Sequence, residues 1–164
     1  MPLKIDMHTH VIPKTMPRFA EKFGYGDFIH LEHHKPGYAR MMKGEQFFRE
    51  IEANCWDAQL RIDEYATHHT QMQVVCTIPV LFAYWAKAQD TLAVAQFLND
   101  DIAQLVTDFP QHYLGLGTLP MQATALAIQE LERCKSIGLL GIQIGSNIND
   151  RNLNEPEFLP IFEA

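Results

Sequence analysis

The stretch KIDMHTHVIP, residues 4–13, contains most of the segment LKIDMHTHV (3–11), which is predicted to form the first β-strand because it is rich in apolar residues and ends at a turn signal. Side chains two positions apart on a strand point to the same face, so Asp6, His8 and His10 are predicted to share one face. The opposite face would carry the apolar residues Ile5, Met7 and Val11. Two imidazoles on one face can reach a single divalent ion. This pattern favours a metal site at His8 and His10, with hydrogen-bonded structural histidines as the alternative.

Three more apolar segments have strand character: QVVCTIPV (73–80), YLGLGTLP (113–120) and LLGIQIGS (139–146). Helical periodicity or helix-start signals occur in four segments: 56–70 with Asp57 as N-cap, 90–109, 122–138, and 154–164 with Pro156 in its first turn. Strands that alternate with helices predict an α/β fold with a parallel sheet built from βαβ units. We expect one domain over residues 1–164. It would contain an insertion over about residues 12–56, in which DFIHLEHH and EQFFREI pair as a small hairpin.

Composition excludes several classes of protein. The formal net charge of −7 and the pI of about 5.5 argue against a nucleic-acid partner or an anionic membrane surface. No apolar run is long enough to span a bilayer, and the N-terminal segment lacks the apolar region of a signal peptide. The three cysteines form no CxxC pair, and we expect reduced thiols in a cytosolic protein.

The histidine pair alone does not complete a metal site. Catalytic zinc usually has three protein ligands, and the strand ends offer only Gln143 and Ser146, which are poor zinc ligands. The other six histidines are interpreted as surface or structural residues, because they stand alone or in adjacent pairs whose side chains diverge. Either further ligands lie outside these residues or the pair does not bind metal.

Several separated blocks carry a family resemblance: IDMHTHVIP, FFREIEANCWDAQLRIDEY, GLGTLPMQ and GIQIGSNIND. Together they resemble the 2-amino-3-carboxymuconate-6-semialdehyde decarboxylases of the amidohydrolase superfamily, and the similarity covers essentially all 164 residues. The resemblance implies a metal-bearing (β/α)₈ TIM-type barrel. Family members are roughly twice this length, so the chain is expected to be an incomplete fragment with about the first four βα units.

The resemblance also implies roles for individual residues. His8 and His10 match the first-strand pair that binds the catalytic zinc. Arg49 matches the arginine that grips a substrate carboxylate, and Phe48 and Lys43 match its aromatic and basic neighbours. On the residues alone, a surface ion pair of Arg49 with Glu50 or Glu52 is the simpler interpretation. Tyr84 and Trp85 follow the second strand, where they could shape the pocket or pack in the core.

By this resemblance the activity would be zinc-dependent decarboxylation of a dicarboxylate semialdehyde in tryptophan and kynurenine breakdown, a step that limits quinolinate and NAD synthesis. The family's third histidine ligand, aspartate ligand and catalytic histidine lie beyond residue 164, as does an arginine donated across the family homodimer. We therefore expect this chain alone to be inactive. Two alternatives remain: a related metal-dependent amidohydrolase or hydratase, and a non-catalytic half-barrel that acts only by association.

Overall fold

The fold is described from a computed structural model that covers residues 3–164; the first two residues of the predicted domain lie outside the described residues. A four-stranded parallel sheet forms its centre, with strand order β1-β5-β6-β7. Its strands are β1 (Ile5–Val11), β5 (Met72–Thr77), β6 (Tyr113–Gly117) and β7 (Gly141–Ile142). The predicted α/β fold with four βα units is confirmed. The last strand is much shorter than predicted, and it pairs only with β6.

Helices connect and cover these strands: α2 (Ala58–Thr67), α3 (Ala88–Asp108), α4 (Thr124–Ser136) and α5 (Leu159–Glu163). Asp57 caps α2 as predicted, because its carboxylate accepts a hydrogen bond from the Leu60 amide at 3.0 Å. The predicted start of the last helix at Pro156 was wrong. Arg151 forms ion pairs with Glu155 and Glu157, which hold this segment in turns, and Pro160 lies in the first turn of α5 instead.

The insertion between β1 and α2 forms a separate small sheet. Its elements are α1 (Phe19–Phe23), β2 (Ile29–Lys35), β3 (Tyr38–Lys43) and β4 (Gln46–Glu52). The two predicted strand segments do not pair with each other, because β3 lies between them and pairs antiparallel with both. The small inserted hairpin is therefore corrected to a three-stranded sheet. A two-stranded ribbon, β8 (Asn147–Ile148) and β9 (Arg151–Asn152), follows β7.

Two groups of buried apolar side chains stabilise these layers. One lies between the parallel sheet and its helices and includes Val75, Ile102 and Tyr113. The other lies under the inserted sheet and includes Phe19 and Met41. Within residues 3–164, no helix combines the length and the apolar character that crossing a membrane requires.

Close packing on β6 depends on a glycine. A Cβ atom added at Gly115 would lie 2.7 Å from a methyl group of Leu139 and 2.8 Å from one of Ile102. Such distances are below van der Waals contact, so the missing side chain lets α3 and the segment after α4 approach the strand. The central strand is therefore closely covered.

A buried polar network joins α3, α4 and the end of β6. The Asn99 side chain accepts a hydrogen bond from the Thr118 amide at 2.8 Å and donates to Glu130 at 2.7 Å. Arg133 donates to the same carboxylate at 2.8 and 2.9 Å. Asn99 and Glu130 have no solvent exposure, so these bonds replace their lost hydration.

Candidate metal and substrate site

A β-bulge in β1 decides which side chains face the interior. Asp6 lies opposite Gln73 on β5, but Thr9 lies opposite Val75, so β1 holds one extra residue between these pairs. As a result Asp6 and Thr9 both contact the Tyr65 hydroxyl of α2, at 3.0 and 3.4 Å. The prediction that Asp6 shares a face with the histidines was wrong, because the bulge turns Asp6 toward the helix.

His8 and His10 lie side by side. Their ring centroids are 4.8 Å apart and the ring planes are nearly perpendicular, at 85°. The exposed His8 and half-buried His10 place nitrogen atoms near the buried thiol of Cys76, and the ligand atoms of all three residues lie within 4.8 Å of one another. The predicted histidine pair therefore comes together, and a sulfur atom joins it.

Sequence reasoning missed Cys76 as a neighbour of the histidines. The residue lies directly opposite His10 in the parallel pairing of β1 with β5. Its Sγ donates a weak hydrogen bond to the Thr9 carbonyl at 3.5 Å, and burial raises the pKa of the thiol to about 11. An alignment of the two predicted strands could have suggested this position, but the bulge makes the register uncertain from sequence.

The surroundings of His10 favour neutral imidazole. Burial lowers the pKa of His10, and the neighbouring charges of His8 and Arg61 lower it further. The Gln143 amide and Nε2 of His10 form a hydrogen bond at 3.2 Å. The Gln143 Oε1 atom is buried and finds no partner among the described residues. A neutral His10 imidazole next to the unpaired Oε1 atom of Gln143 is a suitable environment for a bound cation.

Arg61 supplies a positive charge behind β1. The guanidinium is buried and donates to Gln73 at 3.0 Å, to the Asn54 carbonyl at 2.7 Å and to the Thr9 hydroxyl. Within residues 3–164 it forms no ion pair with a carboxylate. Its hydrogen bonds hold the strand that carries the histidines against β5 and α2.

Arg49 is exposed, but it lies on the same face of the inserted sheet as buried core residues. It is directly opposite Met41, a buried residue of the core beneath this sheet, and opposite residues of an antiparallel pair share a face. Glu50 belongs to the other face, where it pairs with His34 at 2.9 Å and Lys35 at 3.4 Å. Across the described part of the chain, Arg49 makes no ion pair. The alternative of an Arg49 pair with Glu50 or Glu52 is therefore not realised.

The two neighbours of Arg49 differ in position. Phe48 is the extra residue of a second bulge, since Met41 faces Arg49 while Met42 faces Phe47, and its side chain is about half exposed. Lys43, at the end of β3, lines a cavity of about 670 Å³. Neither histidine nor Arg49 belongs to the lining of this cavity, so the structure does not bring all five predicted residues into one pocket.

The cavity lies between the inserted sheet and the loops that follow β5 and β7. Tyr84 is buried in its wall and accepts a hydrogen bond from the Gly145 amide at 3.2 Å, and burial raises its pKa to about 12. Trp85 is half exposed and packs on Phe28 with a centroid distance of 4.7 Å. The Tyr84 hydrogen bond thus joins the loop after β5 to the loop after β7. Trp85 packs on Phe28 of the insertion.

Comparison with known proteins agrees with this architecture. The amidohydrolase family profile matches residues 5–164. A 2-amino-3-carboxymuconate-6-semialdehyde decarboxylase from Dictyostelium discoideum is 54% identical over 98% of this chain, and one from Caenorhabditis elegans is 37% identical over 98%. The chain spans only 45% of the length of each relative.

A solved structure is also similar. The 5-carboxyvanillate decarboxylase from Novosphingobium aromaticivorans, determined with bound manganese, superposes with a TM-score of 0.71 and 19% identity. The match covers 98% of this chain and 47% of that protein. At this identity the likeness concerns the fold, which is that of a partial barrel.

Proposed function

The chain belongs to the amidohydrolase family, and on this premise we propose that it forms part of a metal-dependent carboxy-lyase. The proposed substrate is 2-amino-3-carboxymuconate 6-semialdehyde, which loses one carboxylate as CO₂ and yields 2-aminomuconate 6-semialdehyde. In tryptophan breakdown this reaction would limit quinolinate and NAD synthesis. The observation that carries the proposal is 54% identity to a decarboxylase of that name over 98% of the chain. The three free thiols agree with a reducing compartment such as the cytosol.

His8 and His10 would hold the metal ion, which we propose to be zinc. Their rings already lie side by side, and the neutral His10 presents the lone pair that a cation requires. A zinc ion bound there supplies a Lewis acid that polarises a substrate oxygen. The buried Arg61 holds the strand beneath the pair, so the two imidazoles keep their spacing.

Arg49 would bind a carboxylate of the substrate. Its guanidinium has no competing ion pair within residues 3–164, and its planar fork matches a carboxylate through two parallel hydrogen bonds. Lys43 adds a second positive charge at the cavity wall. Arg49 is not part of the lining of that cavity, so each cation would bind a different carboxylate of the substrate.

The test grafts residues 1–164 in place of the matching segment of the Dictyostelium decarboxylase and measures loss of the substrate and release of CO₂. We expect zinc-dependent decarboxylation. In the graft, Arg49→Ala should lower kcat/KM roughly 10- to 100-fold, since a charged hydrogen bond contributes about 1.5–3 kcal/mol. Arg40→Ala is the matched control, because Arg40 lies opposite Glu50 on the outer face of the same sheet.

Two results would overturn the proposal. A folded, zinc-loaded graft that turns over other amidohydrolase substrates but not this one would favour a related hydrolase or hydratase. Equal losses for Arg49→Ala and Arg40→Ala would remove the assigned role of Arg49.

A second candidate function is association with another copy. Both edge strands of the parallel sheet are open within the described residues, and Met7 and Leu140 at these edges are each 68% exposed. Exposed edges and apolar side chains favour pairing between chains. Sedimentation of the purified chain should then show a homodimer, whereas a monomer at high concentration would contradict it.

A further inference from the structure

We propose that Cys76 is a third protein ligand of the metal held by His8 and His10, so that residues 3–164 contain their own two-nitrogen, one-sulfur zinc site. The proposal uses the histidine pair of the proposed function but does not depend on the reaction. Sequence reasoning found two ligands and no third near them, and the fold places a thiol where the third is needed.

The strand pairing places the three ligands together. Cys76 is directly opposite His10, and paired residues of adjacent parallel strands point to the same face of the sheet. His8 joins them through the bulge, with its ring 4.8 Å from that of His10. All the ligand atoms lie within 4.8 Å of one another.

Only small movements would close the site. Zinc–nitrogen bonds of about 2.0–2.1 Å and zinc–sulfur bonds of about 2.3 Å place tetrahedral ligands roughly 3.3–3.6 Å apart. His8 is exposed and can change rotamer. His10 would exchange the weak Gln143 hydrogen bond for the ion, and Cys76 would leave its weak contact with the Thr9 carbonyl.

The donor set predicts which ion binds. Thiolate and imidazole prefer zinc or cobalt, whereas manganese and magnesium prefer oxygen ligands. On binding, the S–H bond of Cys76 breaks, its proton passes to the buffer, and the sulfur bonds to the metal as thiolate, with no change of oxidation state. Three protein ligands leave a fourth position for water or substrate, as in catalytic zinc sites.

The experiment is X-ray absorption spectroscopy of the 164-residue chain loaded with zinc, with cobalt loading as a second readout. We expect one sulfur scatterer at about 2.3 Å. The cobalt form should show a thiolate-to-metal charge-transfer band. Cys76→Ser should remove both signals and weaken zinc binding at least 10-fold, whereas Cys55→Ser, a thiol outside this cluster, should leave them unchanged.

A zinc site without sulfur in the unmodified chain would overturn the proposal, as would signals that persist in Cys76→Ser. Circular dichroism of each variant establishes that it is folded, and His8→Ala with His10→Ala should abolish binding altogether. Because the spectra report ligand identity alone, they can fail while the graft decarboxylates, or succeed while it does not.

Discussion

Strands β1 and β6 belong to the same parallel sheet, but their surroundings differ. In β6, Tyr113 has no solvent exposure, and Gly115 is covered by Leu139 and Ile102. In β1, Met7 is 68% exposed and Ile5 is 36% exposed. Strand β6 thus carries the packing, and the edge strand β1 carries the two candidate histidine ligands, of which His8 is exposed. The candidate site lies where β1 meets its neighbour β5, which contributes the buried Cys76.

Within the parallel sheet and its helices, the largest effect should come from breaking the network beside β6. Glu130→Gln places an amide N–H against the donors of Asn99 and Arg133, so we expect a loss of about 2–3 kcal/mol in the free energy of unfolding. Glu132→Gln, at an exposed position of the same helix, should change it by less than about 0.5 kcal/mol. Urea unfolding followed by circular dichroism measures both. Equal losses would mean that the network is not a main source of stability.

An intermediate effect is expected from Asp101, which lines a small crevice between α3 and the end of β1. Burial raises the pKa of its carboxyl from 3.8 to about 6. Between these values the folded chain keeps a proton that the unfolded chain releases, so stability falls as pH rises from about 4 to about 6. Asp101→Asn should stabilise the fold by about 1 kcal/mol at pH 7, a figure reduced for partial exposure.

The control for Asp101 is Asp108→Asn, in the same crevice but exposed, where the carboxylate accepts a hydrogen bond from Gln104 at 2.7 Å. This variant should keep the pH dependence of the parent. If Asp101→Asn leaves the slope of unfolding free energy against pH unchanged, Asp101 is not the group responsible.

The smallest effect on the free energy of unfolding should come from a substitution on the edge strand β1. Met7→Lys places a charge at an exposed position, so we expect a change below about 0.5 kcal/mol. Self-association should decrease, because a charged side chain protects a strand edge. Met41→Lys, at a residue only 2% exposed, should unfold the inserted sheet. A large loss for Met7→Lys would show that β1 is better packed than its exposure indicates.

Regular elements were predictable because their signals are local. The N-cap at Asp57 and the periodicity of α3 each depend on a few consecutive residues, and both predictions are confirmed. The hairpin prediction failed because YARMMK, which forms β3, mixes charged and apolar residues and does not stand out as a strand.

The site was harder to predict than the fold. The position of Asp6 depends on one extra residue in β1, and the face of Arg49 depends on the bulge at Phe48. No periodic pattern in the sequence marks either bulge. Cys76 joins the histidines only through the pairing of two strands, which sequence alone does not specify.

The long insertion has a consequence for the order of folding. Pairing of β1 with β5 brings Ile5 next to Met72, so a long segment of the chain must close into a loop. In contrast, α3, β6 and α4 are consecutive in the sequence, and their contacts close only short loops. Loop-closure entropy delays contacts between distant residues. We therefore expect amide protons of β1 to gain protection after those of α3 in pulse-labelled hydrogen exchange. The surface that would bind metal would then be completed last, after the rest of the chain has formed a support for it.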